Sequence, residues 1–201
     1  YIDSNGSSTI WEHSSHGLYS ITATAIPQYY VDYIVNSITS LDKILDINFK
    51  RVFNRNDAIM KITHTENDIP GMGNAYGASS SCFSNQYYDW GLQKWRANDL
   101  NLDIIIKNDC IVEAHRYYDN AQEEVIIHEI GHALTLEHPF DNDDGDVYGV
   151  AYGANAATNY ETVMSYENLM PDTRLYGYKT WYTDLDIKAL KEIWGENFAP
   201  T

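Results

Sequence analysis

Apolar residues recur at helical spacing in the run opened by Pro27, PQYYVDYIVNSITSLDKILD, where Val31, Ile34, Ile38, Leu41 and Leu45 fall on one face. A stripe of that kind predicts a long amphipathic helix with one buried side. The period then changes to two. INFKRV and AIMKITHT alternate, as does LNLDIIIK through Leu100, Leu102, Ile104 and Ile106, and these runs predict strands of a sheet against which the helix packs. The intervening NDIPGMGNAYGASSS is turn-rich with a strand-like centre at NAY. It reads equally as a surface loop or as a Gly-rich sheet edge beside an extended ligand.

A second helix is predicted over NAQEEVIIHEIGHALT, with Asn120 capping the first turn, Glu123 reaching back, and the carboxylates of Glu123 and Glu124 at the positive end of the helix dipole. From HPFDNDDGD through GVAYGANAATNYETVMSYENLMPDTRLYGYK no period holds. That stretch is far longer than an ordinary connection and predicts the wall of a functional cleft. The end, TDLDIKALKEIWGENF, predicts a last helix: Thr183 and Asp186 form a capping-box-like pair, Ile187, Leu190 and Trp194 share a face, and Gly195 stops it. The sum is an α+β fold.

At 201 residues and 44% hydrophobic composition the chain suits one domain over 1–201, with an upper lobe of about 1–134 and a lower lobe of about 135–201 flanking a cleft. No run approaches eighteen apolar residues, and the first residues lack both a basic and an apolar leader region, so no membrane span and a mature or trimmed form are expected. A net charge of -16 repels phosphate backbones, excludes nucleic acid and anionic lipid as partners, and suits a secreted, monomeric protein. Calcium would absorb part of the excess carboxylate, and Asp141, Asp143, Asp144 and Asp146 in DNDDGD are its candidate ligands, although their spacing is not that of an EF-hand and a solvated acidic loop is an equal alternative. Cys82 and Cys110 are the two cysteines; they fit one disulfide in an oxidising compartment or two thiols, and lack the spacing of a zinc cluster or a redox pair.

The chemistry concentrates in HEIGHALTLEHP, residues 128 to 139. Four residues apart on a helix, His128 and His132 project from one face and can ligate one zinc ion. Glu129 is turned aside by about a third of a turn, which places its carboxylate beside the metal as a general base. Zinc lowers the pKa of a water it holds towards ~7, so a neighbouring carboxylate can take the proton and later deliver it to a leaving amine. A catalytic zinc site needs a third protein ligand, and His138 is the candidate. Continued helix would carry it about 9 Å along the axis, so the helix must end near Leu134 or Thr135 and the chain turn back, as Pro139 after an extended residue allows. Glu137, Glu161 and Glu167 are the fallback third ligands.

HEIGHALTLEHP resembles the extended zinc signature of the metzincin superfamily, and within it the HEIGHxLGLxHP motif of the serralysin group of bacterial secreted metalloproteases. VMSY, residues 163 to 166, is similar to that group's Met-turn, and DIKALKEIWGEN resembles the helix after its catalytic cleft. The resemblance implies a zincin-like architecture, with a twisted mixed sheet, helices packed above it, and a mostly irregular lower lobe ending in a helix. It implies zinc on His128, His132 and His138, Glu129 as base, Met164 as the floor beneath the imidazoles, and Tyr166 as an additional ligand that swings away to stabilise an oxyanion. It also implies an endopeptidase acting on extended peptide, with preference set by pockets near Ala133 and after Tyr166, and a proteinaceous inhibitor as a possible partner. A selective zinc amidase or processing peptidase, and a non-catalytic binding protein on the same scaffold, are the alternatives. Thr135 stands where the group has Gly, and the GGxGxD calcium-binding repeats that usually follow are absent from the sequence.

Overall fold

The computed structural model describes residues 1–3, 8–13, 17–66, 76–89, 94–107, 120–142, 145, 147–167 and 178–197. An antiparallel hairpin of β1 (Ser8–His13) and β2 (Gly17–Thr22) precedes α1 (Gln28–Ile44). The main sheet has the order β3 (Met60–Thr65), β5 (Lys94–Lys107), β4 (Gly77–Asp89), with β3 parallel and β4 antiparallel to β5. Two further helices follow, α2 (Ala121–Ala133) and α3 (Asp184–Trp194). This is the expected mixed α+β arrangement.

The stripe on α1 buries Val31, Ile34 and Leu41, and the alternation in β5 buries Leu102, Ile104 and Ile106. All of these but Val31 join Ile126, Ile127 and Ile130 of α2 and Leu190 of α3 in one core. Each such fully buried side chain contributes roughly 1.5–3 kcal/mol relative to exposure. The core therefore grips α2 from both sides and fixes the helix that carries the histidines.

INFKRV, expected as a strand, is not one. The outer edge of β3 is taken instead by the N-terminus and by Thr24, through Asp3 N–H to Ile62 O at 2.8 Å and Thr24 N–H to His64 O at 2.8 Å. Leu45 bridges to Glu196, while Phe49 N–H donates to Asp42 Oδ1 at 2.7 Å. With that edge of β3 taken, Ile47 and Phe49 still pack on the core from irregular backbone. In the Gly-rich run, Asn74 and Ala75 lie outside the described residues, and Tyr76 is a bend from which β4 starts at Gly77. Among the described strands β4 is an edge, as the Gly-rich pattern allowed.

The cap of α2 also departs from expectation. Asn120 makes no side-chain bond to the helix; its amide exchanges two hydrogen bonds with the Tyr178 backbone, and Glu123 accepts from the Tyr29 hydroxyl at 2.6 Å. Both side chains are used for tertiary contacts rather than for each other. At α3 the Thr183 and Asp186 capping box is present, and Gly195 ends the helix. No described helix is long and apolar enough to cross a membrane.

Candidate metal centre

His128, His132 and His138 converge, with one ring nitrogen of each within 4.8 Å of the others. The two helical imidazoles meet edge to face at 4.7 Å between centroids, as their four-residue spacing requires. His138 reaches them because α2 stops in time. Thr135 N–H donates to His132 O and Leu136 N–H to Gly131 O, both at 2.9 Å, which are the paired bonds of a Schellman turn. That turn needs a left-handed residue, and Thr135 supplies it at φ 71°. The reversal brings Leu136 O to His132 Nδ1 at 2.8 Å.

Carbonyl and carboxylate oxygens only accept here, so their partners identify the tautomers. His128 Nδ1 donates to Val163 O at 2.8 Å, His132 Nδ1 to Leu136 O, and His138 Nδ1 to Asp141 Oδ2 at 2.9 Å. All three Nε2 atoms are left as lone pairs turned inward, with His132 Nε2 at 3.1 Å from that of His128 and 3.0 Å from that of His138. Three lone pairs at that separation repel unless a cation lies among them. Burial, reinforced by the neighbouring imidazoles, pushes the His128 pKa down to about 3 and that of His132 down to about 4, which keeps both neutral and able to ligate. Tetrahedral zinc ligands lie about 3.3 Å apart for bonds of ~2.0–2.1 Å, so the donor set fits that ion.

Glu129 is 6% exposed, and its Oε2 has no hydrogen-bond partner among the described residues. Burial alone pushes its carboxyl up to about 8. An adjacent cation would offset that penalty and hold it ionised. The carboxylate lies against Gly77, where a Cβ would come within 2.6 Å of Glu129 Cγ and Oε1. Gly77 thus makes room for Glu129, a role the sequence signalled only as a Gly-rich edge. Gly131 does the same for Met164, whose Sδ would lie 2.8 Å from an added Cβ. Met164 is 2% exposed and packs against α2 at Gly131, beside the Leu136 side chain.

Tyr166 stands at the open side. Its ring is 4.5 Å from that of His138 and 6.0 Å from that of His128, and it also meets Phe140 at 5.0 Å. Burial, then the charges of Glu129 and Asp141, push its phenol up to about 12, so it stays protonated. Behind the site, the buried Asp186 carboxylate accepts from the Thr162 hydroxyl at 2.5 Å, from Val163 N–H at 3.1 Å and from Thr183 N–H at 2.8 Å. It thereby fixes the carbonyl on which His128 leans. The sequence pattern points only to a capping role for Asp186.

Of the fallback ligands, Glu161 accepts from the Thr158 backbone and hydroxyl, and Glu167 from Gly153 N–H. Ala133 is buried in the core. Of the expected calcium ligands, Asp141 is paired with His138, and Asp143, Asp144 and Asp146 lie outside the described residues. Cys82 is on β4 opposite Asn101, whereas Cys110, and with it the expected disulfide, lies outside them.

The arrangement His128, Glu129, His132 and His138 is that of a zincin or metzincin metal site, and it supports zinc-dependent hydrolysis. No family model matches the chain, and no curated protein matches it either.

Proposed function

We propose that this chain is a zinc endopeptidase of the metzincin kind, nearest in its motifs to the serralysin group, that hydrolyses peptide bonds in extended protein segments. The observation that carries the reading is a trio of inward-facing Nε2 lone pairs beside a buried carboxylate with no partner for Oε2 among the described residues. His128, His132 and His138 would hold the ion. Bound there, zinc would supply Lewis acidity, polarising a carbonyl and acidifying water.

The chain's own groups supply the rest. Glu129 takes the proton of the attacking water and returns it to the leaving amine. Tyr166, protonated and facing the cluster, donates to the oxygen on which negative charge develops. β4 is a sheet edge whose Gly77 end touches Glu129, so a peptide added to that edge would run past the imidazoles. Secretion and a monomeric state belong to the same proposal and rest on the sequence resemblance and the charge of -16.

The test is hydrolysis of an unstructured protein such as casein by zinc-quantified parent and Glu129→Ala chains. The expected result is cleavage by the parent alone, abolished by a chelator, with one zinc retained in the variant. No cleavage by a zinc-loaded parent would replace the endopeptidase with the selective amidase or processing peptidase.

A further inference from the structure

The three imidazoles are not held alike. His128 and His132 are mounted on α2 and lean on neutral main-chain carbonyls. His138 comes from irregular chain after the left-handed Thr135, and it leans on a carboxylate. Asp141 Oδ2 accepts from His138 Nδ1 at 2.9 Å and from the His138 amide at 3.2 Å, while Asp141 N–H donates back to His138 O at 3.0 Å. Phe140 lies flat on the same ring, 4.9 Å between centroids and 6° between planes. The four residues His138 to Asp141 therefore brace one imidazole at its edge and its face without help from a helix.

We propose that Asp141 is a positioning residue of the metal centre, which turns His138 Nε2 inward and makes that imidazole the most electron-rich of the three. A carboxylate bonded to the far nitrogen of a ligating histidine fixes its tautomer and raises its basicity. It also brings one negative charge towards a divalent ion that the neutral imidazoles leave uncompensated. The role expected of Asp141 from its acidic run was calcium binding; the geometry turns its carboxylate to His138 instead. The inference rests on the zinc reading of the cluster and not on peptide hydrolysis.

Zinc affinity measured by competition with a chelator, for the parent, Asp141→Asn and Asp141→Ala, tests it, together with the visible spectra of the cobalt(II)-substituted forms. Asp141→Ala should bind about 10–100-fold more weakly. Asp141→Asn, whose amide oxygen still accepts but carries no charge, should fall between, with a shifted cobalt band and an unchanged metal-free melting temperature. If Asp141→Ala does not fold without metal, the near-isosteric Asp141→Asn carries the comparison. Parental affinity and an unchanged cobalt band in Asp141→Asn and any folded Asp141→Ala would overturn the proposal. A parent that binds no zinc would overturn it along with the metal reading, whereas a parent that binds zinc but cleaves nothing would overturn the endopeptidase alone.

Discussion

Thr135 is the one non-glycine among the described residues with positive φ, and it is exposed. A β-branched side chain in the left-handed region costs about 1–2 kcal/mol. Nothing in the packing of an exposed Thr offsets that cost, but the turn it forms carries Leu136 O to His132 and lets His138 return to the cluster. Thr135→Gly should keep both turn bonds and relieve the strain. After the ~0.4–1 kcal/mol that glycine adds to unfolded-chain entropy, the net gain is about 0–1.6 kcal/mol, read as a melting temperature higher by up to about 6 °C. This strain was legible beforehand, because the helix had to end here for His138 to come back and Thr stands at the position where that turn suits Gly. Gly77 and Asp141 were not legible in the same way. Gly77 acts on Glu129, which only tertiary folding brings to it, and Asp141 acts on one tautomer of His138, which an acidic run does not signal although the two residues are neighbours in sequence.

At the scale of elements, α2 enters the core with two carboxylates in its first turn. Glu124 is partly buried, receives the Asn159 amide at 3.5 Å, and has its pKa raised by burial from 4.5 to about 7. A raised acid binds its proton more tightly when folded. Its contribution to stability is therefore fully present below the unfolded value of 4.5 and is lost as pH rises towards about 7. Glu124→Gln removes that dependence. The variant should match the parent near pH 4.5 and exceed it at pH 8 by at least ~1 kcal/mol, measured as paired thermal melts. Periodicity revealed α1 and α3 because each buries one face, and the Thr183 cap was visible because both partners lie within one turn. INFKRV misled because alternation reports which side chains face the core but not whether a sheet edge remains for the backbone to join. Asn120 misled for a related reason: a capping residue also makes a good tertiary hydrogen-bonding residue, and Tyr178 claims it.

Across the whole molecule, distant parts of the chain meet behind the imidazoles. Tyr182 donates to Ile127 O at 2.8 Å, Trp194 Nε1 donates to Leu134 O at 2.9 Å, and Asp186 holds the turn carrying Val163 and Met164. An ion bound between α2 and this scaffold would bind the folded chain selectively. Zinc at about 1,000 times its dissociation constant should then add ~4 kcal/mol of stability, seen as a drop in melting temperature on chelation. His128→Ala should lose most of that drop. The general architecture and the metal site were readable because one short motif specifies both a helix and its chemistry, whereas the scaffold behind it depends on contacts across up to 60 residues of sequence. Those contacts impose an order on synthesis. A chain made only as far as Met164 already has the three imidazoles and Glu129, yet it lacks the Asp186 carboxylate that sets the carbonyl beneath His128. A chain stopped there would hold its imidazoles without the carboxylate that orients one of them, so the finished metal geometry would come only with α3.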